Sequence, residues 1–358
     1  MTAPANGRVP APLAAGPLDV VGDVHGEVGA LAALLRHLGY AADGSHPDGR
    51  HLVFVGDLCD RGPDSPGVIR QVAGFVAAGR AQCLLGNHEL NILRGSAKTA
   101  NGWFFPEDHD HAAGRFLECA RATAAERPAI AGFFATLPLA LERADLRIVH
   151  AAWHPPSFAS LSSELPGKTI VEVYREHATA SEHWGQSAGV RAAAEAEYRE
   201  WGRYIDQESV DVPLLTGIGR MDEQFQMSNP VRVPTSGVEQ LAEAPFFASG
   251  KWRMVDRVPW WRHYADDVPV IFGHYWRWAR PEALPPGAIG SRYLFGGIAA
   301  NQWLGPRGTA FCVDFSVGAR YRERQEKPAG PFQGRLAAVR WPERELVFDD
   351  GERLALRR

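Results

Sequence analysis

Residues 18–26 read Leu18-Asp19-Val20-Val21-Gly22-Asp23-Val24-His25-Gly26, a short apolar run that stops at a glycine and delivers an aspartate and a histidine two positions apart. In an extended segment residues i and i+2 point to the same side, so Asp23 and His25 can reach one ion. Working outward, Val28, Leu31, Leu34, Leu35 and Leu38 recur at helical spacing. A second apolar run, His51 to Val55, again ends in glycine and acids, Gly56-Asp57-Leu58-Cys59-Asp60-Arg61-Gly62. Val68, Ile69, Val72, Phe75 and Val76 mark another helix, and Ala81 to Leu85 runs into Gly86-Asn87-His88-Glu89. The pattern predicts β-α-β-α-β, an α/β fold whose sheet is parallel at its centre, covered by helices, and carries its ligands at the strand ends.

Two further strands end in the same manner: Leu146 to Val149 leads to His150, and Val268 to Phe272 to Gly273-His274. Thr309 to Phe315, Arg335 to Trp341 and Glu345 to Phe348 read as antiparallel strands from which a second sheet would be built. Residues 155–265 differ: one helix is legible, Val190 to Trp201, amid much Pro, Gly and Ser, so the stretch reads as an insertion or cap between donors on either side. The expected division is a disordered lead-in over 1–17, a single catalytic unit over 18–154 and 266–350, and a cap over 155–265.

Length and composition narrow the class. The chain has 358 residues, 45% hydrophobic and 22% charged, which excludes a fibrous or wholly disordered protein. Net charge is −4 from 38 basic and 42 acidic residues, so there is no bulk positive field for a nucleic-acid backbone. No apolar stretch approaches a membrane span, and the lead-in lacks the apolar core of a signal peptide. Four cysteines, Cys59, Cys83, Cys119 and Cys312, share no metal-binding spacing, and together these features predict a reduced, cytoplasmic setting.

The clusters at the strand ends are oxygen and nitrogen donors without thiolate, a set suited to borderline-hard divalent ions and not to structural zinc. A single Gly-Asp after a strand is usually a turn, and a single His150 or His274 is more often a core histidine. Five donor clusters at five successive strand ends are not a packing requirement.

Those five clusters resemble the motif set of the calcineurin-like metallophosphoesterases, in particular the phosphoprotein-phosphatase type and the bacterial symmetrical diadenosine-tetraphosphate hydrolases. A weaker likeness to the latter extends to Gly219-Arg220-Met221, Phe272-Gly273-His274-Tyr275-Trp276 and Val313-Asp314-Phe315. The resemblance implies a four-layer sandwich, two sheets flanked by helices, with two divalent ions. Manganese is the first choice, with iron, zinc, nickel or cobalt as alternatives. It assigns Asp23, His25 and Asp57 to one metal and Asp57, Asn87, His150 and His274 to the other, with Asp57 bridging and a shared water or hydroxide as nucleophile. It makes His88 the general acid, oriented by Asp60, and Arg61 a fork for phosphate oxygens beside Asn87. A second phosphate-binding arginine is expected at Arg220, or else at Arg94.

This chain departs from both branches. It has His150-Ala151-Ala152-Trp153 where the phosphatases carry two glycines and the diadenosine hydrolases Ala-Gly, and Glu89 where the latter carry aspartate. The implied activity is hydrolysis of a phosphate monoester or anhydride. A small nucleotide substrate, a phosphoprotein, or a scaffold without catalysis stay open as alternatives. Asp108-His109-Asp110-His111 reads as a solvated loop or a second metal cluster. The six tryptophans from Trp252 to Trp303 serve either core packing or base stacking.

Overall fold

A computed structural model describes residues 8–98, 100–105, 119–248, 250–284 and 292–358. The chain forms two compact units, one from residues 1–153 and 261–358, the other from residues 154–260. In the first, the predicted alternation is present: β2 (Leu18–Val21), α1 (Val28–Leu38), β3 (His51–Phe54), α2 (Ser65–Ala77) and β4 (Ala81–Cys83), preceded by β1 (Ala11–Pro12). Helix α1 buries Leu31, Leu34, Leu35 and Leu38, the apolar stripe of the sequence, and ends at Gly39 in the left-handed conformation. Asp64 caps α2 by accepting the Gly67 amide, and Pro66 sits in its first turn, where no backbone donor is missed.

Beyond α3 (Asn87–Leu93) and α4 (Glu126–Phe134) come β5 (Ala140–Arg143) and β6 (Leu146–Val149). After the second unit, which contains β7 (Glu239–Ala248) and β8 (Lys251–Arg257), the chain returns as β9 (Val270–Phe272), β10 (Ala310–Cys312), β11 (Ala337–Trp341), β12 (Glu345–Phe348) and β13 (Arg353–Ala355). The strands form a six-stranded sheet, β13-β12-β11-β2-β3-β4, and a five-stranded sheet, β1-β5-β6-β9-β10. They share one core, in which Val20, Val53 and Val339 of the first meet Ile148, Ile271 and Phe311 of the second. The result is two sheets packed on one core, the sandwich that the resemblance implies.

Three expectations need correction. Thr309 to Phe315 is not an antiparallel strand, because Ala310, Phe311 and Cys312 pair in parallel with Val270, Ile271 and Phe272. Of the three C-terminal strands only β10 joins the second sheet: Arg335 to Trp341 and Glu345 to Phe348 do not, because β11 pairs antiparallel with β2 and extends the first sheet, while β12 and β13 continue it outward. Alternation marks a strand but is silent about its partner. The lead-in is not disordered throughout, since Ala11 and Pro12 pair with Leu141 and Glu142 and Leu13 is buried in the core.

The second unit holds more helix than its Pro, Gly and Ser content suggests: α5 (Pro155–Glu164), α6 (Ile170–Ser187), α7 (Val190–Trp201), α8 (Thr216–Met227) and α9 (Arg232–Ser236). Prolines 155 and 156 open α5 instead of breaking it, and Thr169 with Glu172 makes a reciprocal cap for α6. Val212, Leu215 and Met254 form its small core.

A buried charge ties the six-stranded sheet together. Asp19 on β2 is inaccessible to solvent, and its carboxylate accepts Arg50 Nε at 2.8 Å, Arg340 Nε at 3.0 Å and the Tyr40 hydroxyl at 2.8 Å. Removing one partner of such a group leaves uncompensated charge. Asp19→Ala is expected to cost about 3–5 kcal/mol in a denaturant unfolding curve; a loss below about 1 kcal/mol, the scale of an exposed ion pair, would contradict the network.

Candidate metal centre

Each sheet sends the carboxyl ends of its three parallel strands to one place. Strands β2, β3 and β4 deliver Asp23, Asp57 and Asn87, while β6, β9 and β10 deliver His150, His274 and Asp314. All but Asn87 are buried. Two sets of three donors lie with their ligating atoms within 4.8 Å of one another, His25, Asp57 and His88, and Asp57, His150 and His274. Asp57 belongs to both. Its Oδ2 is 3.5 Å from His150 Nε2 and 3.8 Å from the Nε2 atoms of His25 and His88. Asp23 Oδ2 stands 4.0 Å from His25 Nε2 and accepts the His274 amide at 3.1 Å, and Asn87 Oδ1 is 3.2 Å from His150 Nε2. The structure thus brings together all six residues assigned to the metals and adds His88 to the first set.

The histidines are set for ligation. His25 turns Nδ1 to the Cys59 carbonyl at 3.0 Å and His150 turns Nδ1 to the Val55 carbonyl at 2.9 Å, which leaves each Nε2 facing Asp57. A ligating imidazole is oriented this way by a backbone acceptor on its other nitrogen. The residues therefore fit divalent ions. His88 differs, because its Nδ1 bonds the carboxylate of Asp60. Asp60 in turn accepts the Trp103 indole N–H at 2.5 Å, a partner that the sequence did not reveal. Arg61 places Nη1 2.6 Å from His25 Nε2 and Nη2 3.1 Å from His88 Nε2.

Backbone strain marks the same place. Among the described residues, eight other than glycine have positive φ, and seven of them, His25, Asp57, Asp60, Arg61, His274, Trp276 and Ser316, belong to these loops. Such conformations cost of order 1–3 kcal/mol each and persist where the surroundings dictate them. Two residues do so here. Glu89, buried on α3, accepts the amides of Asp57 at 2.9 Å, Leu58 at 2.8 Å and Gly86 at 3.0 Å. Asp314 accepts the amides of Trp276 and Ser316, both at 2.8 Å. Gly86 has no alternative, since a Cβ there would lie 2.3 Å from Asp57 Oδ1.

The electrostatics follow from burial and crowding. Burial pushes the Asp23 carboxyl well above its usual range, and the nearby Asp314 adds to the effect. Burial would raise Asp57 as well, but the charges of His150, His88 and His25 outweigh it and hold Asp57 well below. His25 is driven down by burial and by Arg61. For His150 burial is overcome by Asp57 and Asp23, and its imidazolium persists up to about 10. His88 is raised because Asp57 and Asp60 outweigh burial.

Of the two arginines expected to bind a second phosphate oxygen, Arg94 follows α3, seven positions beyond Asn87 and therefore on the same helical face. Arg220 lies exposed on α8 of the other unit. Asp108-His109-Asp110-His111 falls outside the described residues. The tryptophans divide: Trp261 stacks on Phe272 and Phe295 in the core, whereas Trp276 lies under the Arg61 guanidinium at 4.7 Å.

The family model described as calcineurin-like phosphoesterase matches residues 16–186. Over 79 residues it is 49% identical to an asymmetrical bis(5'-nucleosyl)-tetraphosphatase of Halalkalibacterium halodurans, a stretch covering 21% of this chain and 32% of the relative. Over 77 residues it is 40% identical to the symmetrical bis(5'-nucleosyl)-tetraphosphatase of Ralstonia nicotianae, 22% of this chain and 24% of that protein. The chain thus spans about a third or less of the length of these curated relatives. A cold-active protein-tyrosine phosphatase of Shewanella aligns over 98% of this chain and 84% of its own, at 15% identity and a TM-score of 0.48. Among the described residues no helix is long and apolar enough to cross a membrane.

Two outcomes are expected. Glu89→Gln removes an acceptor from the amides that place Asp57, so affinity for divalent ions should fall by about 10–100-fold in calorimetry; unchanged affinity would dissociate Glu89 from the site. In the metal-free protein the folded-state pKa of His150 is raised above its unfolded value. Its charge therefore stabilises the metal-free fold below the ordinary imidazole value, and that contribution is lost as pH rises through about 10. An ion must displace this proton, so affinity should rise about tenfold per pH unit around neutrality. Equal affinities one pH unit apart would contradict it.

Proposed function

We propose that the chain is a metal-dependent phosphoesterase that hydrolyses a phosphate monoester or phosphoanhydride at a dinuclear centre, with a bis(5'-nucleosyl) tetraphosphate as the first substrate to test. The observation that carries this reading is Asp57, one buried carboxylate common to two donor sets. When bound, the divalent ions supply Lewis acidity toward phosphate oxygens and an activated water. Donors of this kind accept manganese, iron, zinc, nickel or cobalt, and manganese is the first choice.

The residues of the chain do the rest. Asp60 keeps a proton on His88 Nδ1 and favours the imidazolium, so Nε2 can pass its own proton to a departing oxygen. Trp103 fixes Asp60 from the other side, which prevents the carboxylate from rotating away. Arg61, supported on Trp276, presents a planar fork beside both His25 and His88, where non-bridging phosphate oxygens would sit. Asn87, whose Oδ1 stands 3.2 Å from His150 Nε2, offers an amide on the His150 side. The nucleotide preference rests on the relatives, both named as bis(5'-nucleosyl)-tetraphosphatases.

A serine/threonine-type protein phosphatase is the second reading, supported by Glu89 at the end of Gly86-Asn87-His88-Glu89. Rates on diadenosine tetraphosphate and on phosphopeptides at equal concentration separate the two, the faster class identifying the substrate. On the better substrate, His88→Ala should lower kcat by about 10²–10⁴-fold, the usual contribution of a positioned acid. A chelator should abolish turnover, and manganese should restore it. Turnover that survives both the substitution and the chelator would sink the phosphoesterase reading.

A further inference from the structure

Helix α10 (Arg320–Glu326) follows the last strand end of the site and carries three arginines in alternation. Two are committed to the fold: Arg320 donates to the Gly334 carbonyl and to Asp349, both at 2.7 Å, and Arg324 pairs with Glu27. The third, Arg322, is exposed. Its Nε donates to the Tyr321 hydroxyl at 2.7 Å, and its guanidinium lies 5.2 Å from the Tyr321 ring and 5.7 Å from the Trp276 ring. Among the described residues no carboxylate forms an ion pair with it.

Trp276 is the ring that also carries Arg61, at 4.7 Å. The two guanidiniums are therefore separated by no more than those two distances taken end to end. The segment leading into α10 touches the site directly, for a Cβ on Gly318 would stand 2.5 Å from His25 Cδ2 and 3.0 Å from Arg61 Nη1. Burial disfavours the charge of Arg61, and Asp57, Asp60 and Asp314 are close enough to favour it, whereas among the described residues Arg322 pairs with no carboxylate and meets the Tyr321 hydroxyl and two aromatic rings. Two cations on one indole repel each other until an anion comes between or beside them. A guanidinium fork with free N–H groups suits the oxygens of a phosphoryl group.

Resting on the phosphoesterase reading, we propose that Arg322 and Trp276 form a second anion subsite beside Arg61. It holds a phosphoryl group adjacent to the one that reacts and so selects substrates with two or more linked phosphates. Arg220 and Arg94 are not needed for this contact. Arg322 binds substrate and takes no part in proton transfer.

Calorimetry on the full-length, metal-loaded protein tests this with two probes, inorganic tripolyphosphate and orthophosphate. Arg322→Ala should weaken tripolyphosphate by about tenfold or more, the scale of one charge-assisted hydrogen bond, and leave orthophosphate within about twofold. Arg322→Lys should recover part of the loss, because charge is kept and the fork is not. Equal weakening of both probes, or of neither, would overturn the subsite. Turnover of p-nitrophenyl phosphate by the unaltered protein is a separate arm. If it is absent along with all anhydride hydrolysis, the phosphoesterase reading fails, and the binding ratio still decides the subsite.

Discussion

The Asp57 carboxylate is buried with three imidazole nitrogens within 3.8 Å of one oxygen, while its other oxygen accepts the His88 amide at 3.0 Å. Its backbone is pinned as firmly. Its carbonyl accepts the amides of Val24 and His25, and its amide donates to Glu89. An isolated buried carboxylate would take up a proton, so its charge persists only because these groups surround it. The loop after β2, the loop after β3 and the start of α3 consequently meet at one residue. Displacing any of them moves the atom common to both donor sets.

Much of this was legible in the chain before the fold was known. The helical stripe Leu31, Leu34, Leu35 and Leu38 faces the core as its spacing predicts, and the donor clusters stand at strand ends because open α/β sheets place ligands there. The partners that hold those donors were not legible. Trp103 reaches Asp60 across 43 positions, and Asp314 stabilises the turn at Trp276 across 38. Neither contact has a local signature. Strand pairing failed for the same reason, since Ala310 to Cys312 has the same apolar character whether it lies parallel to β9 or antiparallel to another strand. In the second unit, helices held by caps and small apolar faces escaped a reading that counted prolines and serines.

The family match covers Asp23 through His150 and stops before His274, Asp314 and α10. His274, one of the donors gathered at the site, therefore lies outside the matched stretch. The metal donors of the first half carry the likeness to known phosphoesterases. The proposed anion subsite, Arg322 with Trp276, comes wholly from the second half.

Strand β2 lies between β3 and β11, with Val20 opposite Val53 on one side and Val339 on the other. During synthesis the first partner emerges soon after β2, but the second follows more than three hundred positions later. One edge of the strand that leads into Asp23 therefore waits for β11, exposing until then the unpaired backbone that invites association with other chains. The strand that must be covered late is also the one that places Asp23.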